Sequence, residues 1–271
     1  MPELPEVETT RRGIAPLVEK QTITGVTVRE ARLRQPVPAN LSVLLSGQRL
    51  ASVSRRAKYL LFHFPTGDLI VHLGMSGSLR IVRPSTPFKK HDHVELTFGG
   101  ERRLRFHDPR RFGLMLWNAA PIEQHPLFAH LGPEPWDDAF DGQYLHAGAR
   151  GRRTAIKNYI MDGRIVVGVG NIYASEALFR AGIHPKRAAG RVSIERYRRL
   201  VKAVREVLGE AIEVGGTTLR DFVKSDGEPG YFSLQLNAYG RAGEACRCGR
   251  ATIRQQVIGQ RSSFYCPKCQ R

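Results

Sequence analysis

The sequence predicts an α+β fold with strands and helices segregated along the chain, and three observations predict it. From about residue 22 to 118 the chain runs in short β-like stretches, TITGVTV, KYLLFHF, LIVHLGM, HVELTF, RLRFH and GLMLW. Gly, Pro or charged clusters punctuate them, as in an antiparallel sandwich or barrel. From about 121 to 216 the apolar spacing is helical instead. All four cysteines fall in the last 26 residues, which bounds a small terminal module.

Residues 3 to about 19 read as a helix, with Val7, Ile14, Leu17 and Val18 spaced for one buried face. Glu3 and Glu6, three apart, share a face of that helix. The helical region contains YIMD, NIYASEALFRAG and SIERYRRLVKAVREVLGEAIEVGG, the last ending in a Gly pair that suits a helix C-terminus. Residues 217–235 are polar and too long for a tight turn, as lids often are. These shifts divide the chain at 1–120, 121–235 and 236–271.

The chain of 271 residues carries 42 Lys and Arg against 25 Asp and Glu, a formal charge of +17. Such an excess points to a polyanionic partner, with nucleic acid foremost. A hydrophobic content of 41% supports a real core and excludes a disordered basic tail. There is no apolar run near 18 residues, no signal-peptide pattern and no lipidation motif, so a membrane partner is not expected. Cysteines confined to one end argue for a local metal site in a reducing, cytoplasmic compartment rather than a disulfide framework.

The first eight residues, Met-Pro-Glu-Leu-Pro-Glu-Val-Glu, carry the sharpest chemistry. With Met1 removed, Pro2 is a terminal secondary amine beside the Glu3 carboxylate. An α-amino group titrates near 8, so roughly a tenth is uncharged at neutral pH, far more than for an ordinary lysine. Attack by a secondary amine on a sugar aldehyde carbon gives an iminium, an electron sink of the kind Schiff-base enzymes use. The plain alternative is a helix start with prolines and glutamates in the first turn.

At the other end, Cys246-Arg-Cys248 and Cys266-Pro-Lys-Cys269 flank a predicted hairpin, ATIRQQVIG then QRSSFYC. Two thiolate pairs around a hairpin fit one structural zinc with all four positions filled. Arg261 lies at the hairpin turn. The segment His107-Asp-Pro-Arg-Arg-Phe-Gly113 joins two predicted strands. Its arginines, Arg110 and Arg111, suit phosphates or base edges, and Phe112 either wedges between base steps or folds back on the core. Met75, taken alone, reads as core. Gly168-Val-Gly-Asn171 opens a helix, either as a phosphate cradle or as a tight interhelical turn. Arg55-Arg-Ala-Lys58 and Lys89-Lys-His-Asp-His93 are further basic patches, and the His91, Asp92, His93 spacing is poor for a metal.

Together these residues resemble bacterial formamidopyrimidine-DNA glycosylases over essentially the whole chain. The resemblance rests on PELPEVE, RRAKYL, HLGMSGSLR, HDHV, DPRRFG, LGPEP, VVGVGNIYASEALFRAGIHP, GGTTLRDF and GQRSSFYCPKCQ. It implies an N-terminal β-sandwich flanked by helices, a helix–two-turn–helix DNA-binding domain, a zinc-finger β-hairpin and a basic cleft for duplex DNA. The implied activity is removal of oxidised purines (8-oxoguanine, formamidopyrimidines) and nicking of the abasic strand by β,δ-elimination. In that scheme Pro2 attacks C1′, Glu3 shuttles protons and Lys58 contacts phosphate and assists catalysis. Glu6 and Lys157 are supporting residues. His72, Asn171 and Arg261 hold the bent backbone, and His93 and Arg111 join the DNA contacts. Met75, Arg110 and Phe112 fill the void left by the flipped nucleotide, and residues 217–231 close over it. One structural Zn2+ on Cys246, Cys248, Cys266 and Cys269, a monomeric state and a nucleoid-associated location complete the implied picture.

The first cysteine pair departs from the family pattern, since Cys248 comes one position early and Gly249 takes the usual place. That puts the geometry of the metal knuckle in question. Three other readings remain: a non-catalytic damaged-DNA-binding protein, an endonuclease VIII-like pyrimidine glycosylase, and a ribosome-associated zinc-ribbon protein. Leu4 and the long 217–231 segment disfavour the second, and the third leaves the N-terminus and DPRRFG unexplained.

Overall fold

The structure is a computed structural model that describes residues 2–100, 102–218 and 236–271. The chain divides into two compact units. One holds residues through Ala129 with the end of the longest helix from Ile212, and the other holds His130–Ala211 and the described residues from 236 onward.

The first unit opens with helix α1 (Leu4–Val18) and continues through strands β1 (Ile23–Val28), β2 (Ser52–Arg56), β3 (Tyr59–Phe64), β4 (Gly67–His72), β5 (Ser78–Val82), β6 (Asp92–Phe98), β7 (Arg103–His107) and β8 (Leu114–Asn118). A short helix, α2 (Leu41–Leu45), sits between β1 and β2. The strands form two antiparallel four-stranded sheets, ordered β1-β6-β7-β5 and β2-β3-β4-β8. Alternation builds the sandwich: Leu60 and Phe62 of β3, Leu96 of β6 and Leu104 and Phe106 of β7 share one buried cluster with Val7 and Ile14 of α1. The sequence reading missed β2, whose SVSRR buries only Val53, and β5 and α2. It also carried the LIVHLGM run too far. Strand β4 ends at His72, and Gly77 N–H closes a turn on the Leu73 carbonyl.

The outward face of the first sheet carries charge. Arg105 bonds Glu95 and Asp92, and Asp92 also takes Arg80 and His107. The register of β6 slips between Asp92 and Val94, which lets Asp92 join this outward set. Burial alone would raise the Asp92 pKa, yet the Lys89 N–H, His107 and Arg80 hold it below its ordinary value.

In the second unit α3 (Gly142–Ala149), α4 (Ile156–Met161), α5 (Asn171–Ala181) and α6 (Ile194–Thr218) surround Leu145, Ile160, Tyr173, Leu178, Tyr197 and Leu208. Buried tyrosine hydroxyls are satisfied, Tyr159 donating to the Leu145 carbonyl and Tyr197 to the Ala189 carbonyl. Helix α5 stops at Gly182 in the left-handed region, as a glycine C-cap does. Helix α6, in contrast, runs past the Gly215–Gly216 pair to Thr218. A helical glycine costs about 1 kcal/mol and weakens a helix without ending it. The loop expected at 217–231 lies, beyond Thr218, outside the described residues.

The cysteine module, with strands β9 (Arg254–Ile258) and β10 (Arg261–Tyr265), packs on α5 rather than standing apart. Phe179 joins its small core, and Gln270 donates to the Ile183 carbonyl. Gly259 and Gln260 both have positive φ, the two-residue turn that suits a right-twisted hairpin.

Asp92 is fully buried among its cations, so Asp92→Asn should cost roughly 3–5 kcal/mol in urea melts, because it strands buried guanidinium groups. The sign of its shift adds a pH effect. A carboxylate with a depressed folded pKa loses its contribution as pH falls below the unfolded value of 3.8, so the wild type should lose more stability than the variant under acid titration.

Candidate functional site

Helix α1 places the N-terminal chemistry. Glu3 is its N-cap and is buried, while Pro2 is partly exposed. The Glu6 carboxylate accepts the Glu3 N–H at 2.7 Å, closing a capping box that fixes the backbone next to Pro2. Further along the helix, Glu8 ties α1 to β2 by accepting from Arg11, Arg12 and Arg55. Burial opposes ionisation of Glu8, but these cations hold its pKa below normal. Arg55 Nη1 also donates to the Ala57 carbonyl at 2.8 Å. Ala57 and Lys58 form the two-residue turn between β2 and β3, with Ala57 in the left-handed region and Lys58 half-buried.

His72 ends β4 and leads into the turn that carries Met75. Its Nδ1 accepts the Gly74 N–H at 2.9 Å. Burial and the nearby cations Lys58 and Arg34 push its pKa down to about 4. The neutral ring therefore carries its proton on Nε2, where it can donate to an oxygen. The Met75 turn faces the loop between β7 and β8, in which Arg110, Arg111 and Phe112 are all exposed. Arg110 lies over the Phe112 ring, 4.7 Å from its centroid. Arg111 has φ +55° and reaches Glu30 at 3.4 Å. His93 is buried beneath the loop and donates from Nε2 to the Asp108 carbonyl at 2.8 Å. A polar pocket of about 360 Å³, lined by Arg29, Lys90, His91, His93 and Arg111, opens alongside.

In the second unit Asn171 is the first residue of α5. Its Oδ1 is buried with no hydrogen-bond partner among the described residues, and its Nδ2 faces the Tyr239 hydroxyl at 3.5 Å. Glu176, one turn further, accepts the backbone N–H groups of Asn237, Ala238 and Tyr239, each at 2.8 Å, and so anchors that tyrosine. Lys157 is wholly buried on α4. Its ammonium donates to the Ser262 carbonyl at 3.0 Å and to Ser263 Oγ at 2.7 Å. It therefore braces the hairpin strand that begins with the exposed Arg261.

The four cysteine Sγ atoms lie within 4.8 Å of one another. The pairs Cys246–Cys269 and Cys248–Cys266 are each 3.8 Å apart. A tetrahedron with metal–sulfur bonds of about 2.3 Å has edges of about 3.8 Å, so the cluster has dimensions that suit a metal ion. Burial and the other thiols push the Cys269 pKa up, while the Arg250 N–H, first among several donors, pulls Cys248 down to about 6. A shared dication held by the four sulfurs would resolve that conflict. The short Cys246-x-Cys248 spacing still closes the site, because Gly249 turns back at φ +67° and donates to the Cys246 carbonyl.

The structure thus groups Pro2, Glu3 and Glu6 at one helix start, His72 and Met75 with Arg110, Arg111 and Phe112 at one loop pair, and the four cysteines. The sequence reading missed Asp108, Ser76 and Glu176. Asp108 stood inside the quoted DPRRFG motif, but a charged residue in a turn carries no sign of its burial.

A family model described as the formamidopyrimidine-DNA glycosylase N-terminal domain matches residues 1–115, and one described as that protein's H2TH domain matches 131–223. The formamidopyrimidine-DNA glycosylase of Methylococcus capsulatus is 62% identical over 271 residues, covering 100% of both chains. The MutM (Fpg) protein of Thermus thermophilus is similar at TM-score 0.85 and 41% identity, over 99% of this chain and 98% of that one. The Lactococcus lactis Fpg, solved as a mutant with Fapy-dG-containing DNA and bound non-covalently to AP-site-containing DNA, matches at TM-scores 0.89 and 0.87, with 33% and 32% identity over 100% of each chain.

His72 should titrate near pH 4 in imidazole NMR, with the Nε2–H tautomer persisting above pH 5. An unfolded histidine takes its proton near 6.5, so this residue withdraws stability as pH falls from about 6.5 towards about 4. His72→Gln should flatten that part of the stability curve.

Proposed function

The chain belongs to the formamidopyrimidine-DNA glycosylase family, and from that premise we propose that it is a base-excision-repair enzyme that removes oxidised purines from duplex DNA and then nicks the abasic strand. The observation that carries the reading is the start of α1, where a partly exposed Pro2 adjoins a buried, capped Glu3. Once Met1 is removed, the Pro2 nitrogen attacks C1′ of the damaged nucleotide and the bond from C1′ to the base breaks. The base leaves with that electron pair and takes up a proton. Glu3 protonates the ring oxygen as the sugar opens to an iminium on Pro2. The iminium acidifies C2′, so successive eliminations expel the 3′ and then the 5′ phosphate, and water releases the sugar fragment.

Lys58 at its hairpin turn, the Nε2–H of His72, the Asn171 amide and Arg261 are the proposed phosphate partners. A phosphate oxygen there would accept from the Asn171 Nδ2–H, which faces the Tyr239 hydroxyl at 3.5 Å. Met75, Arg110 and Phe112 fill the space of the flipped nucleotide, with the exposed Phe112 ring already backed by a guanidinium. The working division is a catalytic domain (1–120), a DNA-binding domain with its closing loop (121–235) and a zinc finger (236–271). Zinc suits the four thiolates, and its closed site leaves the metal a structural task, holding the hairpin that carries Arg261. No helix among the described residues is long and apolar enough to cross a membrane. A monomer in the bacterial cytoplasm, associated with the nucleoid, fits a DNA substrate.

Borohydride trapping on a duplex with one 8-oxoguanine opposite cytosine tests the reading. Protein starting at Pro2 should give an adduct that maps to Pro2, whereas Pro2→Gly should lose at least about a hundredfold in trapping and excision, a scale typical of removing an activated nucleophile. Absence of both adduct and scission from zinc-loaded mature protein would leave a damage-binding protein instead. Removing the metal with a chelator should melt the hairpin and weaken DNA binding, seen as a smaller salt dependence of affinity.

A further inference from the structure

The three void-filling residues lie on two separate loops, and a single buried carboxylate joins those loops. Asp108 is completely buried. Its Oδ1 accepts the Ser76 hydroxyl at 2.7 Å, on the turn that carries Met75. Its Oδ2 accepts the Gly113 N–H at 2.8 Å, at the far end of the loop that carries Arg110 and Phe112. The Ser76 oxygen in turn accepts the Arg110 N–H at 3.2 Å. The backbone of Asp108 is held as firmly, since its N–H donates to the His91 carbonyl and its carbonyl accepts from His93.

The two loops are also in backbone contact. A Cβ on Gly74, which has φ +63°, would collide with the Gly113 nitrogen and the Phe112 carbonyl carbon. A Cβ on Gly113 would meet the Phe106 ring and the His72 carbonyl. Neither loop can shift alone without breaking hydrogen bonds to a buried charge, which are stronger than neutral ones and costly to leave unmade.

We propose that Asp108 and Ser76 are positioning residues that lock the Met75 turn to the Arg110–Phe112 loop, so that the three side chains enter the duplex as one preassembled wedge. This rests on the reading of the chain as a base-flipping glycosylase. Neither residue touches the reacting atoms. Their part is to remove the entropy of ordering two independent loops at the moment the nucleotide is extruded, and to let force on Phe112 be borne by the sheet beneath Asp108.

The test uses the zinc-loaded mature protein in single-turnover assays on two duplexes, one with 8-oxoguanine opposite cytosine and one with a preformed abasic site. A 2-aminopurine beside the lesion reports unstacking. Ser76→Ala should slow unstacking and excision on the first duplex by roughly tenfold, the scale of a hydrogen bond to a charged group. Cleavage of the abasic site, which has no damaged base to extrude, should fall far less. Ser76→Thr, which keeps the hydroxyl, should recover most of the loss, and Asp108→Asn should show the same split between substrates. In a double-mutant cycle Phe112→Ala should cost less in the Ser76→Ala background than alone. Equal losses on both duplexes, additive effects in the cycle, or wild-type unstacking by Ser76→Ala would overturn the proposal. Failure of the wild type to excise 8-oxoguanine would instead sink the glycosylase reading.

Discussion

The capping of α1 is the constraint on which the proposed chemistry depends. A nucleophile at residue 2 has almost no chain before it to hold it, so the first helical turn must supply all the rigidity. Glu6 does this by accepting the Glu3 N–H, and Glu8 does it at longer range by binding Arg55 of β2. The same acidic run that a helix N-terminus favours on dipole grounds thus divides its labour. Glu3 is the proposed proton shuttle, Glu6 fixes the backbone, and Glu8 docks the helix.

The same device recurs through both units. Buried polar and charged side chains join separate elements or loops, and each has several partners. Asp92 gathers Arg80, Arg105 and His107, Glu176 gathers three backbone N–H groups, Lys157 holds the Ser262 carbonyl and the Ser263 hydroxyl, and Asp108 holds two loops. Such groups contribute little net stability compared with apolar replacements of equal shape. Their value is directional, because only one arrangement of the surrounding loops satisfies them. An enzyme that works with side chains carried on turns needs that definition more than it needs extra stability.

Much of this was legible in sequence, and for a common reason. Six of the eight sandwich strands, α1, α5 and the cysteine hairpin announce themselves through periodicity and spacing, which reflect local geometry and burial on one face. β2 escaped because SVSRR has no apolar alternation. The end of α6 escaped because glycines lower helix propensity without forbidding a helix that is packed. By resemblance Lys157 is a supporting residue and His93 a DNA contact, and nothing in the sequence shows that both are buried and bonded to backbone or hydroxyl oxygens. A residue type tells what a side chain can do, and only its surroundings tell which of those things remains possible.

The sequence by itself determined the chemistry on offer: an N-terminal proline beside a carboxylate, four thiols at one end, a strong positive charge and the order of the elements. Those properties belong to residues and their neighbours in the chain. The tertiary structure alone decided which residues became supports. Asp108 meets Ser76 across 32 positions, Lys157 meets Ser263 across 106, and Glu176 meets Asn237 across 61. It also decided that a one-residue cysteine spacing still brings four sulfurs within 4.8 Å of one another, because Gly249 supplies the turn. Contacts so distant in the chain arise only when packing brings them together, and no local pattern encodes them.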